Sequence, residues 1–274
     1  MYPYELFLGL TFYEIFLIAG ILSALVIYRI VADKKHFSSH LQNLTVLCGV
    51  VAIILGYGSA VLFQAVNNWL AGGGFELNNG TGATFYGGLI GGVAVFLLLF
   101  FVGGGIYRKV KGIKRDALSD FFADSDIGAA SIAAAHGLGR IGCLLVGCCH
   151  GECTDSWIGV WNEYLQCRTV PVQLFEAIFL LLLASFLIYR SLKWKTYALA
   201  IYLTAYGIWR FFIEFLRSDD RGASPIPGLS PSQFIAIILV LAGVALYFVT
   251  KKLYLPMLQK NICAQSVEKG STDE

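Results

Sequence analysis

Charged side chains are scarce in this chain. Asp, Glu, Lys and Arg make up 14% of its 274 residues, against about a quarter in an ordinary soluble domain. With 57% hydrophobic residues and a mean hydropathy of +0.69, the sequence has too little polar surface to face water on all sides. A net charge of only +2 removes the electrostatic footprint that a nucleic-acid partner would need. No long polar linker divides the chain, and neither an HExxH helix nor a serine nucleophile elbow is present. Residues 1–9 contain no Lys or Arg. The first apolar run therefore lacks the basic leader of a cleaved signal peptide and is expected to remain as a helix.

Long apolar runs are what the sequence does have. A helix needs about 20 mostly apolar residues to cross the hydrocarbon core. Runs of that kind lie near 10–30, 44–66, 84–106, 121–146, 171–190, 196–216 and 231–250. These predict an all-α, polytopic integral membrane protein of about seven transmembrane helices. One transmembrane domain is expected over 1–258, followed by a polar cytoplasmic tail at 259–274. The third run is rich in glycine (Tyr86-Gly87-Gly88-Leu89-Ile90-Gly91-Gly92), which permits close helix approach. Asp120, Asp124 and Asp126 crowd the start of the fourth and are expected to be mostly interfacial, with Asp126 the deepest.

Basic residues fix the orientation. Fifteen of the twenty Lys and Arg fall in alternate connections: Arg29 to Lys35, Arg108 to Arg115, Arg190 to Lys195, and Lys251 onward. The positive-inside rule places those connections in the cytoplasm, which with seven spans gives N-out and C-in. The intervening connections hold only Arg168, Arg217 and Arg221.

Two arginines, Arg140 and Arg210, stand inside apolar runs. A charge at the bilayer centre costs roughly 2.5–3.5 kcal/mol on insertion scales, so their presence points to use. Glu214 follows Arg210 by four residues and Arg217 follows Glu214 by three, which sets them on one helical face. The topology brings Tyr13, Glu14, Tyr86, Arg140 and the Arg210–Arg217 group to one depth, just beneath the outer surface. Two guanidiniums at that level suit a phosphate, and the phosphate found there is a phospholipid headgroup. The blander readings are a structural ion pair for Arg210–Glu214 and headgroup snorkelling for Arg217 and Arg221.

Seven cysteines complete the inventory. Cys48 and Cys263 are isolated. Cys143, Cys148, Cys149, Cys153 and Cys167 cluster at and after the end of the fourth run. Disulfides, buried free thiols, a redox pair and a metal site all remain open. Adjacent Cys148 and Cys149 are awkward for a tetrahedral site, and no second CxxC exists, so the expectation is no metal and no cofactor.

Four segments occur together in this order: Tyr86-Gly-Gly-Leu-Ile-Gly, the Gly-rich Arg140 segment (His136 to Cys143), Pro171-Val172-Gln173-Leu174-Phe175-Glu176, and Tyr206-Gly-Ile-Trp-Arg210-Phe-Phe-Ile-Glu214. The combination resembles the prolipoprotein diacylglyceryl transferase family, from Tyr13 to about Gly243. The resemblance implies transfer of the diacylglyceryl group of phosphatidylglycerol to the lipobox cysteine of a preprolipoprotein. It implies an enzyme of lipoprotein biosynthesis, multi-pass in the bacterial cytoplasmic (inner) membrane. Its partners would be phosphatidylglycerol, lipobox-containing preprolipoproteins and the bilayer, with no nucleic acid. Carried over, Arg140 and Arg210 hold the lipid phosphate and Glu214 orients Arg210. Tyr13, Gly139, Gly142, Gly151, Gln173, Tyr206 and Arg217 contribute to substrate binding. This sequence departs at Tyr86, where the family usually has His, at Cys143 (usually Asn) and at Cys148 (usually Glu). Proton removal then falls to Tyr86, His136 or His150. The alternatives are a related transferase with another acceptor, or a lipid-binding or transport protein without catalysis.

Overall fold

The structure, a computed structural model, describes residues 4–5, 9–70, 72, 74–78, 81–82, 84–112, 116–193, 197–218 and 226–256. The tail at 259–274, Cys263 and Arg221 lie outside them. Among the described residues seven helices are long and apolar enough to cross a membrane: α1 (Phe12–Lys34), α2 (Ser39–Leu70), α3 (Tyr86–Val110), α4 (Ala117–Val146), α5 (Val172–Lys193), α6 (Ala198–Leu216) and α7 (Pro231–Tyr254). Their outward faces carry large apolar side chains such as Leu22, Ile54, Leu182 and Leu241, each more than half exposed. In water that surface would aggregate; in lipid it is solvated. The chain is a polytopic membrane protein.

Helix starts follow local chemistry. Thr11 caps α1, its backbone N–H donating to Glu14 at 2.8 Å, so Glu14 completes a capping box. Ser230 and Gln233 do the same for α7, with Pro231 at its first position. Two helices change pitch. A π-helical turn spans Leu99–Gly103 inside α3, and another, Thr250–Tyr254, ends α7.

The backbone gathers into two compact units, His36–Phe121 and the segments on either side of it. In the first, α2 and α3 meet through small residues. A Cβ on Gly87 would stand 2.5 Å from the Cβ of Phe63 and 3.1 Å from the Ser59 carbonyl. The Ser59 hydroxyl donates to the Gly87 carbonyl at 2.9 Å. Phe100, fully buried, packs edge-on against Phe101 and Phe121.

In the second unit an alanine face of α4 (Ala129, Ala130, Ala133, Ala134) packs on Leu180, Leu183, Ala184 and Leu187 of α5 and on Tyr202 and Tyr206 of α6. Small residues on one side and branched ones on the other allow close approach without voids. Asp126 accepts from the Ala198 N–H at 2.7 Å and so caps the start of α6. Asp124 accepts from the Tyr28 hydroxyl at 2.5 Å. Both carboxylates are buried. For Asp124 the interfacial expectation therefore gives way, while Asp126 bonds within the bundle as its depth suggested; each has a fixed partner, and that bond offsets the desolvation.

Between α4 and α5 lies a short antiparallel hairpin, β1 (Val160–Asn162) with β2 (Cys167–Thr169). A Cys153–Cys167 disulfide ties its second strand to the preceding loop. Isolated bridges join Gly151 to Arg217 and Cys153 to Thr169.

Candidate active site

Within the second unit the charges collect at one end of the bundle. Arg140 lies two turns before the end of α4, and Arg210 and Glu214 lie near the end of α6. Gln173 and Glu176 belong to the first turns of α5, Ser232 to the first turn of α7, and Tyr13 to the first turn of α1. Chain direction alternates among these helices, so residues far apart in sequence converge.

The centre is a chain of ion pairs. Arg140 Nε is 3.1 Å from Glu176 Oε2. The Tyr206 hydroxyl donates to Glu176 Oε1 at 2.8 Å. Arg210 Nη2 pairs with Glu214 Oε2 at 2.6 Å and donates to Ser232 Oγ at 2.8 Å. The Ser230 hydroxyl donates to Glu214 Oε1 at 2.8 Å, and Arg217 Nε stands 3.7 Å from Glu214 Oε2. Glu176 is fully buried and Arg210 nearly so, at 5% exposure. Burying one such charge alone would cost several kcal/mol; the alternation of signs is what makes the group tolerable. Three guanidiniums, of Arg140, Arg210 and Arg217, face the carboxylates of Glu176 and Glu214. Arg210 Nη1 is buried and has no protein partner among the described residues. An anion would satisfy that donor.

The other anticipated residues fall into several roles. Gln173 is fully buried, and its amide donates to the Cys148 carbonyl at 2.5 Å, fixing the loop instead of standing open. Gly142 lets α1 come close, since a Cβ there would lie 3.0 Å from Phe16 Cβ and 3.3 Å from Tyr13 Cα. Gly151 is closer still: a Cβ would sit 2.5 Å from the Leu216 carbonyl, beside the Gly151–Arg217 bridge. Gly139 has open space where its Cβ would be. Tyr13 is part-exposed, and its phenol lies within electrostatic reach of Arg140 and of Cys143, Cys148 and Cys149. Tyr86 belongs to the other unit, at the head of α3. Of the two histidines, His136 Nδ1 lies 3.2 Å from the Tyr202 hydroxyl and its ring packs edge-on to Tyr206. His150 Nδ1 lies 3.0 Å from the Gly151 carbonyl.

Just beyond Arg140, three thiols converge. The Sγ atoms of Cys143, Cys148 and Cys149 all lie within 4.8 Å of one another. Gly147 ends α4 in a left-handed turn at φ 86°, its N–H bonding the Cys143 carbonyl at 3.0 Å. Cys149 is also left-handed, at φ 61°. The chain thereby folds back over the helix end. Hydrogen bonds from Cys143 and Cys148, and the Arg217 guanidinium beside it, hold the Cys149 thiol well below the usual thiol range. Cys148, as donor, is pushed up.

Residues 4–249 match the protein family described as prolipoprotein diacylglyceryl transferase. The chain belongs to that family. A relative from Clostridium tetani, named phosphatidylglycerol–prolipoprotein diacylglyceryl transferase, is 31% identical over 258 residues, covering 89% of this chain and 95% of its own. The second such transferase of Clostridium perfringens is 41% identical over 134 residues, 46% of this chain and 52% of its own. One from Clostridioides difficile is 30% identical over 210 residues, 74% of this chain and 77% of its own.

In this family member, sequence reasoning missed Glu176 as part of the charge cluster. Its signal was there: a carboxylate among apolar neighbours, in the quoted Pro171–Glu176 segment. Ser232 left no comparable signal, because a serine at a helix start reads as a cap. The convergence of the thiols was hidden by the backbone conformation at Cys149, which spacing alone does not reveal.

Proposed function

We propose that this chain transfers the diacylglyceryl group of phosphatidylglycerol to the cysteine thiol of lipobox-containing preprolipoproteins. It works in the bacterial cytoplasmic membrane, N-terminus out and C-terminus in, with its site open to the outer leaflet. Membership of the family supports this reading, and so does the alternation of basic connections. The observation that carries it is the cluster of Arg140, Glu176, Tyr206, Arg210, Glu214 and Arg217, in which Arg210 Nη1 is buried with no protein partner among the described residues.

Arg140 and Arg210 bind the lipid phosphate. The acceptor sulfur attacks the terminal glycerol carbon of the diacylglyceryl group. The carbon–oxygen bond to phosphate breaks, and glycerol phosphate departs with the bonding electrons. Charge grows on the departing phosphate, and guanidiniums already aimed by Glu176 and Glu214 stabilise it without reorganising. Tyr206 holds Glu176 in place, and Arg217 adds positive potential. Tyr13 and Gly139 line the approach of the headgroup, while Gly142, Gly151 and Gln173 hold the loop and helices that frame it. Tyr86, at the head of α3, remains the catalytic candidate at the position where the family usually has His.

The test is a mass assay of purified protein with phosphatidylglycerol and a lipobox peptide. A peptide gain of one diacylglyceryl group, lost in Arg140→Ala, is the expected result. No gain from folded protein would overturn the reading. A second reading keeps the donor and changes the acceptor, motivated by Tyr86, Cys143 and Cys148. It predicts phosphatidylglycerol consumption with an unmodified peptide. A purely transporting role fits less well, because the charges sit at one end of the bundle and not along a path through it.

A further inference from the structure

The three converging thiols are not used by the chemistry above. We propose that Cys143, Cys148 and Cys149 bind one zinc ion in an open three-thiolate site, and that its fourth position takes the acceptor thiol as thiolate. The second half rests on the acceptor reading above.

The geometry fits. Zinc–sulfur bonds of about 2.3 Å in a tetrahedron set the sulfurs about 3.8 Å apart. The three Sγ atoms already lie within 4.8 Å of one another, so small rotations of the side chains close the set. Adjacent cysteines ordinarily point apart, which is why the sequence argues against a metal. The left-handed backbone of Cys149 removes that objection. An L-residue rarely holds that conformation, and such strain persists where the surroundings over-determine it. Here they do: Gln173 holds the Cys148 carbonyl and Asn162 donates to the Gly147 carbonyl at 3.0 Å.

The site also has an open side. Cys143 is buried, Cys149 half-buried and Cys148 exposed. Three protein ligands with one free position is the arrangement of catalytic zinc, whereas structural zinc has four. Zinc with three thiolates carries a net negative charge, and two guanidiniums flank it. Arg217 hydrogen-bonds Cys149, and Arg140 precedes Cys143 by three residues on the same face of α4. A disulfide would use two of the thiols and leave the third without a purpose.

The function follows from ordinary thiol chemistry. A thiol that binds zinc gives up its proton to solvent and becomes a nucleophile at neutral pH. That sulfur then forms its bond to the glycerol carbon, the phosphate oxygen takes the electrons of the broken bond, and the neutral thioether leaves the metal. No electrons change hands with the metal. Three residues of helix, a rise of about 4.5 Å, separate the metal ligand Cys143 from the phosphate-binding Arg140.

Cobalt makes the site visible. The full-length protein, reduced mildly and anaerobically in detergent, is titrated with Co(II) and then with lipobox peptide. The expected result is one equivalent of cobalt with sulfur-to-cobalt charge-transfer bands. Those bands fall in Cys148→Ser and Cys149→Ser and persist in Cys48→Ser. A Cys lipobox peptide intensifies them by one further thiolate, and the Ser peptide leaves them unchanged. Native zinc, counted by elemental analysis of the untreated protein, gives a readout that needs no variant. Absence of thiolate–cobalt bands in the wild type overturns the proposal. So do bands indifferent to the Cys peptide, and if that preparation still transfers lipid, the function stands without the metal. A spectrum that responds to the Cys peptide while no lipid is transferred supports the site and overturns the donor reading.

Discussion

The two compact units of this chain solve different problems with the same helical material. Residues His36–Phe121 join α2 to α3 through glycine and small side chains, and their buried ion pair, Arg108 with Asp120 at 3.5 Å, stands beside an aromatic cluster at the end of α3. The other unit gathers Arg140, Glu176, Arg210 and Glu214 at one end of its bundle, with hydroxyls from Tyr206, Ser230 and Ser232 among them. The first is specified by shape and the second by charge. Shape tolerates polar change at its edges and rejects added volume. Charge tolerates little change in sign and accepts volume where space is open.

Substitutions that cross these rules separate the units. The largest effect falls on the charge cluster. Arg140→Ala removes a guanidinium proposed to stabilise the departing phosphate, and one such donor is worth on the order of 10²–10³-fold in rate; Arg210→Ala should match it in the peptide transfer assay. The same change strands Glu176 in the bundle, so thermal unfolding in detergent should also drop. Glu176→Gln keeps the shape and a partner for Tyr206 but frees Arg140 to wander. Transfer should fall about tenfold or more, with the larger part in kcat, since preorganisation acts in the transition state. In the shape-specified unit, Gly87→Ala forces a methyl against Phe63 and the Ser59 carbonyl. Overpacking of this kind costs about 1–3 kcal/mol, read as a lower unfolding midpoint. Smallest of all is Gly139→Ala. Its methyl meets no protein atom within 4 Å, so stability should hold or rise slightly, and any loss of transfer reports a substrate passing over that spot.

Much of this division is legible in the sequence. The seven spans were found by apolar run length, and the observed helices contain or closely match them. Several extend further. α2 begins at Ser39 and not near 44, because His40, Gln42 and Asn43 continue the helix without adding hydropathy. Arg140, Arg210 and Glu214 stood out because a charge inside an apolar run has few innocent explanations. Asp124 misled for the opposite reason: three carboxylates within seven residues read as a wet helix end, and only the position of Tyr28 shows that one of them is bonded inside. Glu176 lies near the start of its helix, where a carboxylate looks interfacial, so its pairing with Arg140 required the fold. The thiol convergence depends on backbone dihedrals at Gly147 and Cys149, a property that neither spacing nor composition encodes.

The arginines at one end of the bundle are proposed to hold the lipid phosphate. Native mass spectrometry of the detergent-solubilised protein tests it most directly, by counting phosphatidylglycerol retained as collision energy rises. The account predicts one tightly held phosphatidylglycerol on the wild type, held equally by Gly87→Ala and lost early from Arg140→Ala and Arg210→Ala. Equal retention by the arginine variants, in protein shown to be folded, would contradict it.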